Sequence, residues 1–290
     1  MNAAATATRL SYSALEDYAR CGYRYHLQRV LGLPDEAPPP GVPAAPGLPG
    51  TVRGTIVHGL LEELDFAAPR APSREDVERL ALPTGHRVPA GEGNDLAALV
   101  AGLRGSAVAA RLAAATGLHR EEGFAFLVQT GQAAGLLLTG ALDVLATEAD
   151  GTALVVDWKS DRVAGEDLEA VVERSYATQR CVYALAALRA GWPRVHVVHC
   201  FLERPQETVT ATFAADAVQR LEDEIGALAD PLLRGEFAPT PTPHRDLCAT
   251  CPGRPALCSY DEAMTLRPPP DPRAPEVRVS RSEPVQQRLF

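Results

Sequence analysis

Lysine is almost absent from this chain of 290 residues: of its 28 basic residues, only Lys159 is a lysine. No apolar run reaches the length of a transmembrane helix, and the first ten residues lack the apolar core of a signal peptide. The sequence also lacks the Gly-x-x-x-x-Gly-Lys phosphate loop, which excludes a nucleotide-driven motor of that class. We therefore expect a soluble, cytoplasmic protein with no membrane partner.

The composition limits the kinds of function further. Hydrophobic residues make up 46% of the chain, enough for a substantial core in one large domain or two small ones. The net charge of −9 argues against general binding of nucleic acid, but not against a local basic groove or an acidic cluster that holds metal. Six cysteines without a secretion signal predict metal ligands or core residues rather than disulfides.

The apolar pattern divides the chain into a helical first part and a mixed second part. Helices are predicted at 12–31, 53–66, 95–116, 167–190 and 214–234, and a short one begins at Ser73 with Asp76. Ser11 is the predicted N-cap of the first helix, and Gly32 is its predicted end. Strands are predicted at 122–130, 135–147, 152–159 and 195–203. Prolines and glycines predict a loop over 34–50, and a Pro/Arg-rich tail, 263–290, is expected to be disordered.

A strand of unusual charge lies at residues 155–159, Val-Val-Asp-Trp-Lys. Because successive side chains of a strand alternate between faces, Asp157 and Lys159 lie on the same face. Lysine carries a compact ammonium that can give up a proton, whereas arginine stays charged. Lys159 is therefore a candidate for orienting or deprotonating a water molecule beside a phosphate.

The turn before this strand decides whether two acids meet. A two-residue loop, 150–151, would turn Asp157 to the face opposite that of Asp143. A three-residue loop, 149–151, with Gly151 in the left-handed conformation, places Asp143 directly opposite Asp157. Opposed like charges destabilise a sheet unless a cation lies between them, and oxygen ligands suit Mg²⁺ or Mn²⁺. The alternative is two exposed acids on a solvated face.

Several segments together resemble the PD-(D/E)XK nuclease core, and more closely its RecB-like exonuclease branch. They are Asp143 in Thr-Gly-Ala-Leu-Asp, the triplet Asp157-Trp158-Lys159, His58 in Arg-Gly-Thr-Ile-Val-His, and the helical pair Gln179 and Tyr183. Val144 departs from the pattern, since many relatives have arginine after the aspartate. Taken alone, His58, Gln179 and Tyr183 could simply pack in a core.

The resemblance implies an α/β fold with a mixed central sheet flanked by helices, and ends joined by a four-cysteine metal cluster. The nuclease domain would span 1–262, with a helical part at about 10–116, a nuclease core at about 120–235 and the cysteines within 244–260. The resemblance also implies a Mg²⁺ or Mn²⁺ site held by His58, Asp143, Asp157 and the Trp158 carbonyl. Lys159 would act on the attacking water, and the DNA strand would be positioned by Gln179, Tyr183, Arg20, Arg24 and Arg53.

Three cysteines cluster near the end of the chain, Cys248, Cys251 and Cys258, and Cys21 can supply a fourth ligand. This set resembles the iron–sulfur RecB-like nucleases, including AddB-type subunits, and implies a 4Fe-4S cluster. Here six residues separate the last two cysteines, where relatives often have five. A four-cysteine zinc site is the alternative. The remaining two, Cys181 and Cys200, are expected to be core residues.

The resemblance implies a metal-dependent deoxyribonuclease that acts on single strands or DNA ends in repair or recombination, near the bacterial nucleoid. The alternative is a catalytically silent module that binds DNA ends or a helicase. The motif set also resembles the C-terminal nuclease domain of helicase–nucleases. The last residues, Gln-Gln-Arg-Leu-Phe, resemble a peptide that binds the sliding clamp, through Gln286, Leu289 and Phe290.

Overall fold

The computed structural model describes residues 8–40, 47–129, 133–254 and 256–269. Six strands form one mixed sheet: β1 Arg9–Ser11, β2 Gly117–Leu127, β3 Leu137–Thr147, β4 Ala153–Lys159, β5 Arg194–Phe201 and β6 Val209–Ala214. Along one path the order is β1-β3-β4-β5-β6, and β2 pairs with β3 outside that path. The pairs β1–β3 and β4–β5 are parallel, and the others are antiparallel. The predicted α/β fold with a mixed sheet is confirmed.

The helices fall before, between and after the strands. They are α1 Tyr12–Arg20, α2 Gly22–Tyr25, α3 Gly50–Glu62, α4 Arg74–Ala81, α5 Ala90–Ala101, α6 Ala107–Ala113, α7 Leu168–Ser175, α8 Ala177–Arg189, α9 Val218–Leu233, α10 Arg245–Cys248 and α11 Glu262–Thr265. A π-helical turn, His26–Val30, follows α2, and 3₁₀ turns lie at Leu82–Thr84 and Ala215–Ala217. In the described part of the chain, no helix combines the length and apolar character needed to cross a bilayer.

Two apolar cores cover the two faces of the sheet. On one face, α1, α8 and α9 pack on residues such as Val155 and Val197. On the other face, α3 to α6 pack on Val156 and Val198, which follow those residues by one position. This offset is the alternation expected of strands that are covered on both faces. Asp157 and Lys159 follow Val155 by two and four positions, so their side chains lie on the same face of the sheet as Val155, the face covered by α8.

The hairpin between β3 and β4 has the three-residue loop that places the two acids opposite each other. Gly151 has a φ of 83°, and the N–H of Glu148 donates to the carbonyl of Thr152 at 2.9 Å. Val144 pairs with Val156, so the next position along each strand brings Asp143 opposite Asp157. The left-handed glycine therefore sets the register on which the paired acids depend.

Local end signals were predicted more accurately than element lengths. Ser11 accepts a hydrogen bond from the N–H of Ala14, Gly32 is left-handed, and Ser73 with Asp76 forms a capping box, all as predicted. The predicted helix 12–31 is wrong as one helix, because Cys21 is extended with a φ of −163°. The predicted helix 167–190 is likewise interrupted, at Tyr176.

Two strands were missed. β6 overlaps the start of the predicted helix 214–234, which begins as an α-helix only at Val218. β1 is three residues long, too short for an alternating pattern to identify. The first residues of the expected tail are ordered, since α11 reaches Thr265, which is buried, and the N–H of Arg245 donates to the carbonyl of Arg267. Residues 270–290, with the predicted clamp peptide, lie outside the described residues.

Candidate active site

Four polar side chains occupy consecutive register positions across the sheet. Arg120 pairs with Val144 and Glu122 with Leu142, so Glu121 on β2 lies opposite Asp143 on β3. Asp143 in turn lies opposite Asp157 on β4, and Asp157 pairs with His199 on β5. We call Glu121, Asp143, Asp157 and His199 the polar row. Only two of its members, Asp143 and Asp157, were predicted from the sequence.

Asp143 is a largely buried carboxylate near the middle of the polar row. Its Oδ2 accepts a hydrogen bond of 2.8 Å from the N–H of Trp158. Burial raises the pKa of Asp143 well above its ordinary value, and the facing charge of Asp157 raises it further, while the Trp158 N–H acts in the opposite direction. Without a cation, the ionised form of Asp143 is therefore disfavoured.

His58 projects from α3 toward the same carboxylate. Its Nδ1 lies 3.7 Å from Oδ1 of Asp143 and 4.0 Å from Oε1 of Glu121. Among the described residues, these three side chains form the one group of potential ligands whose atoms all lie within 4.8 Å of one another. The structure thus brings the predicted ligands His58 and Asp143 together and adds a carboxylate that the sequence analysis missed.

Glu121 has a backbone conformation that is unusual for its residue type. Its φ of 48° is the only positive value among the described non-glycine residues. Such a conformation costs of order 1–3 kcal/mol and is typical of functional sites. Burial raises the pKa of Glu121, and the charge of Glu62 adds to the effect. In the sequence, Arg-Glu-Glu within an amphipathic strand is typical of a solvated edge, so no signal distinguished Glu121 from its neighbour.

Lys159 has close contacts on three sides. Its Nζ lies 2.8 Å from Oδ2 of Asp157 and donates to Oε1 of Gln179 at 2.7 Å. The same atom lies 3.9 Å from the centre of the Tyr176 ring, a cation–π contact. Gln179 also donates from Nε2 to the hydroxyl of Tyr183 at 3.0 Å. The predicted Gln-x-x-x-Tyr pair on α8 is thus joined directly to the lysine.

Asp157 is almost completely buried, at 1% exposure, and its Oδ2 accepts no hydrogen bond although Lys159 lies beside it. The ammonium of Lys159, 2.8 Å away, is a cation that offsets the cost of burying this carboxylate. The site nevertheless gathers the carboxyl groups of Glu121, Asp143 and Asp157 around this ammonium and the imidazole of His58. Oxygen and imidazole donors in this ratio fit Mg²⁺ or Mn²⁺, so the residues present suit a divalent ion.

Comparisons with known proteins agree with this geometry. The family model of the PD-(D/E)XK nuclease superfamily matches residues 9–258. The chain belongs to this superfamily. A solved structure called "Putative exonuclease", from Eubacterium rectale, is 11% identical, has a TM-score of 0.52, and aligns over 90% of this chain and 93% of its own. That similarity shows the fold.

Two further comparisons add little. The structure of SSO0001 aligns over 80% of this chain and 78% of its own, at 11% identity, but its TM-score of 0.36 carries no argument. No curated protein matches the chain. Membership of the nuclease superfamily therefore rests on the family model, and the residues of the site must be assigned from their own geometry.

The three arginines predicted to contact DNA have different environments in this nuclease fold. Arg24 is mostly buried and donates to Asp35 at 2.8 Å, to Thr250 at 3.1 Å and to the carbonyl of Leu247. It therefore ties α2 to the segment that carries the last cysteines. Arg20 is largely exposed, and Arg53 is paired with Glu92 at 2.9 Å. Of the three, Arg20 has the side chain most accessible to a nucleic acid.

The four predicted cysteine ligands line one small cavity of the nuclease domain, and all six cysteines are free thiols in the structure. Cys21 accepts from the N–H of Arg24 at 3.5 Å and from the N–H of Thr240 at 3.4 Å. Burial raises the pKa values of Cys248 and Cys251. Among the described residues, no three cysteine sulfurs lie within 4.8 Å of one another, as the ligand atoms of His58, Glu121 and Asp143 do. The structure thus shows a cysteine-lined cavity between the two ends of the domain, without showing a cluster.

The remaining two cysteines lie elsewhere. Cys200 is fully buried in the core beneath α3 to α6, as predicted. Cys181 packs against the core beneath α8 as predicted, but it is only partly buried and also donates from Sγ to Glu224 at 3.0 Å. The difference arises because Cys181 lies on the side of α8 that faces α9, where Glu224 reaches it.

Proposed function

We propose that the chain is a divalent-metal-dependent deoxyribonuclease that hydrolyses phosphodiester bonds at DNA ends or in single strands. The observation that carries this proposal is the pairing of Asp143 with Asp157 beside the fixed ammonium of Lys159. Opposed acids of this kind destabilise a sheet, so their presence in a chain with one lysine, placed beside them, favours a catalytic purpose. Superfamily membership supports the same reaction class.

The residues that would hold the ion are His58, Glu121, Asp143, Asp157 and the carbonyl of Trp158. The Trp158 N–H points at Asp143, and the N–H and C=O of one residue in a strand point to the same side. The carbonyl of Trp158 is therefore directed toward the acids as well. A bound Mg²⁺ or Mn²⁺ would supply positive charge that acidifies water and neutralises a phosphate.

Lys159 would orient the attacking water and share its proton. Asp157, Gln179 and the Tyr176 ring hold its ammonium from three directions, so little reorganisation is needed when a phosphate approaches. Gln179 and Tyr183 extend this support along α8. Arg20, at the exposed end of α1, would contact the DNA backbone. Arg24, which holds the cysteine-bearing segment, and Arg53, which is paired with Glu92, would contribute less to DNA contact.

The four cysteines lining the small cavity would bind a 4Fe-4S cluster, with zinc as the alternative metal. Four thiols from the two ends of the domain are a suitable donor set, and the backbone N–H groups near Cys21 would stabilise its thiolate. Binding there would join α2 to α10 and so add to the stability of the folded chain.

The cellular setting rests on the sequence. A RecB-like nuclease would act in DNA repair or recombination in the cytoplasm, alone or with a helicase subunit or domain. The final Gln-Gln-Arg-Leu-Phe, with Gln286, Leu289 and Phe290, would bind the sliding clamp and bring an acidic protein to DNA.

Incubating the purified chain with end-labelled single-stranded and double-stranded DNA tests the proposal. We expect cleavage with Mg²⁺ or Mn²⁺ and none with EDTA. Release of labelled mononucleotides or short fragments from one end would indicate an exonuclease. Binding of DNA ends without cleavage under every metal condition would instead support the silent module.

A further inference from the structure

His199 is a completely buried histidine for which the proposed reaction has no role. Its side chain is 0% exposed, and neither ring nitrogen has a hydrogen-bond partner. Burial lowers the pKa of His199 to about 4, so the ring is neutral near pH 7. Buried polar atoms are normally paired, and an unpaired group in a native structure calls for an explanation.

The neighbours of His199 limit what that explanation can be. The aromatic ring of Tyr176 lies 5.9 Å away between ring centres, and Lys159 contacts the same ring. Phe201 and Val209 belong to the small apolar cluster beside it. On the other side, Asp157 occupies the paired position on β4, and adjacent strands are about 4.8 Å apart. Among these neighbours, Asp157 is the one with a carboxylate.

Asp157 has an acceptor beside this ring. Its buried Oδ2 lies 2.8 Å from Nζ of Lys159 but accepts no well-aligned hydrogen bond, and a carboxylate oxygen can accept from more than one donor, so Asp157 can also accept from His199, its pairing partner in the polar row. A neutral imidazole offers one N–H donor and one acceptor nitrogen. A hydrogen bond from this N–H to Asp157 would give the ring a partner that it otherwise lacks.

We propose that His199 is the positioning residue of the metal site, and that its ring N–H donates to Oδ2 of Asp157. This hydrogen bond would restrict the rotation of the carboxylate and so hold it ready to bind the ion. The inference rests on the proposed function, because it assumes that Asp157 is a ligand. Partners that hold a metal-binding carboxylate or imidazole in place typically change metal affinity by 10–100-fold when they are removed.

His199 acts behind the ligand rather than as a ligand. The potential ligand group of His58, Glu121 and Asp143 lies at the other end of the polar row, with Asp157 between it and His199. An imidazole walled in by Tyr176, Phe201 and Val209 has no exposed side from which an ion or a phosphate could reach it.

Mn²⁺ binding to the purified full chain tests this, followed by electron paramagnetic resonance and by calorimetry in the absence of DNA. His199→Phe fills the same space without a donor, and we expect it to weaken Mn²⁺ binding 10–100-fold. His199→Gln keeps an N–H donor and should recover most of that loss. His86→Phe is the matched control, since His86 is exposed just after the 3₁₀ turn Leu82–Thr84 and is not part of the polar row, and it should bind Mn²⁺ as the wild type does.

The outcomes separate the inference from the function on which it rests. If wild type binds Mn²⁺ and Asp157→Asn does not, while His199→Phe binds as well as wild type, the inference is overturned and the proposed function stands. If wild type itself binds no Mn²⁺, the proposed function fails. Equal losses in the Phe and Gln variants would mean that His199 has only a packing role. Thermal melts in EDTA identify a variant that fails to fold, and His199→Asn, with its shorter side-chain donor, then replaces it.

Discussion

Gly140 and Phe124 face each other across β3 and β2, and a Cβ atom on residue 140 would lie 2.5 Å from Cζ of the phenyl ring. The ring packs edge-on against Tyr183 at 6.3 Å, and Tyr183 accepts from Gln179, which holds Lys159. Because residue 140 has no side chain, the ring of Phe124 has room to pack against Tyr183 on α8. A methyl group there has to displace that ring.

Gly140→Ala should thus reduce both stability and activity. Overpacking of this kind costs about 1–3 kcal/mol, and displacement of the groups around Lys159 should lower the cleavage rate roughly tenfold. Gly123→Ala is the matched control, because Gly123 lies on the same strand as Phe124 and a Cβ there would meet nothing within 4 Å. Urea denaturation and cleavage assays on both variants are the measurements. Equal behaviour of the two variants would contradict the supporting role of Phe124.

The raised pKa of Asp143 predicts a pH-dependent penalty in the metal-free chain. Between its ordinary pKa and the raised one, the folded chain holds a proton that the unfolded chain has lost, so stability falls as pH rises through that window. In EDTA near neutral pH, Asp143→Asn should therefore melt at a higher temperature than wild type. Mn²⁺ should stabilise the wild type and leave the variant unchanged.

Glu148 is a suitable control because its pKa is shifted in the opposite direction to that of Asp143. A hydrogen bond from Arg111 is the main cause of its lowered pKa, so its stabilising contribution is present above its ordinary pKa and is lost as pH falls. Glu148→Gln should lower the melting temperature near neutral pH, and the difference should vanish in acid. An Asp143→Asn variant that is less stable than wild type in EDTA would show that the carboxylate is not strained as described.

How far the sequence predicted this site depends on whether each residue left a local signal. Gly151 fixed one hairpin register, and that register alone placed Asp143 opposite Asp157. Glu121 left no such signal, because its role comes from a positive φ and from pairing with a strand about twenty positions away in sequence. His199, within the apolar run of β5, was hidden for the same reason: only the β4–β5 register shows its neighbour.

The predicted boundaries of helices and strands were wrong where tertiary contacts override the local conformational preference. The helix predicted at 12–31 has good helical residues on both sides of Cys21, but that residue is extended and accepts from the N–H of Thr240, 219 positions away. β6 was missed because Val-Thr-Ala-Thr-Phe-Ala is half exposed and its strand conformation depends on antiparallel pairing with β5.

The cysteine-lined cavity gives a prediction on metal content. Protein purified without oxygen should contain iron and sulfide, and Cys21→Ser should lose them as completely as Cys251→Ser, since both residues line the cavity. Cys181→Ser is the control, because that thiol binds Glu224 instead. Elemental analysis and visible absorption are the measurements. One zinc per chain, in protein made with ample iron, would replace the iron–sulfur assignment with the zinc alternative.

The sequence of the last residues predicts a partner. A labelled peptide of residues 280–290 should bind the purified sliding clamp through Leu289 and Phe290, because both apolar side chains would enter a pocket on the partner. Fluorescence anisotropy measures this directly, with the double variant Leu289→Ala and Phe290→Ala as control. Absence of binding at tens of micromolar, or equal binding of the control, would remove the clamp from the list of partners.

The most direct test of the central claim, that the paired acids and Lys159 form a nuclease site, is cleavage of end-labelled single-stranded DNA with Mn²⁺ by four proteins. Wild type and Asp150→Asn, whose acid lies exposed in the same hairpin, should cleave equally. Asp157→Asn and Lys159→Arg should each fall by at least about 100-fold, the arginine because its planar fork cannot fit among Asp157, Gln179 and Tyr176. Full activity of Asp157→Asn or Lys159→Arg would contradict the account.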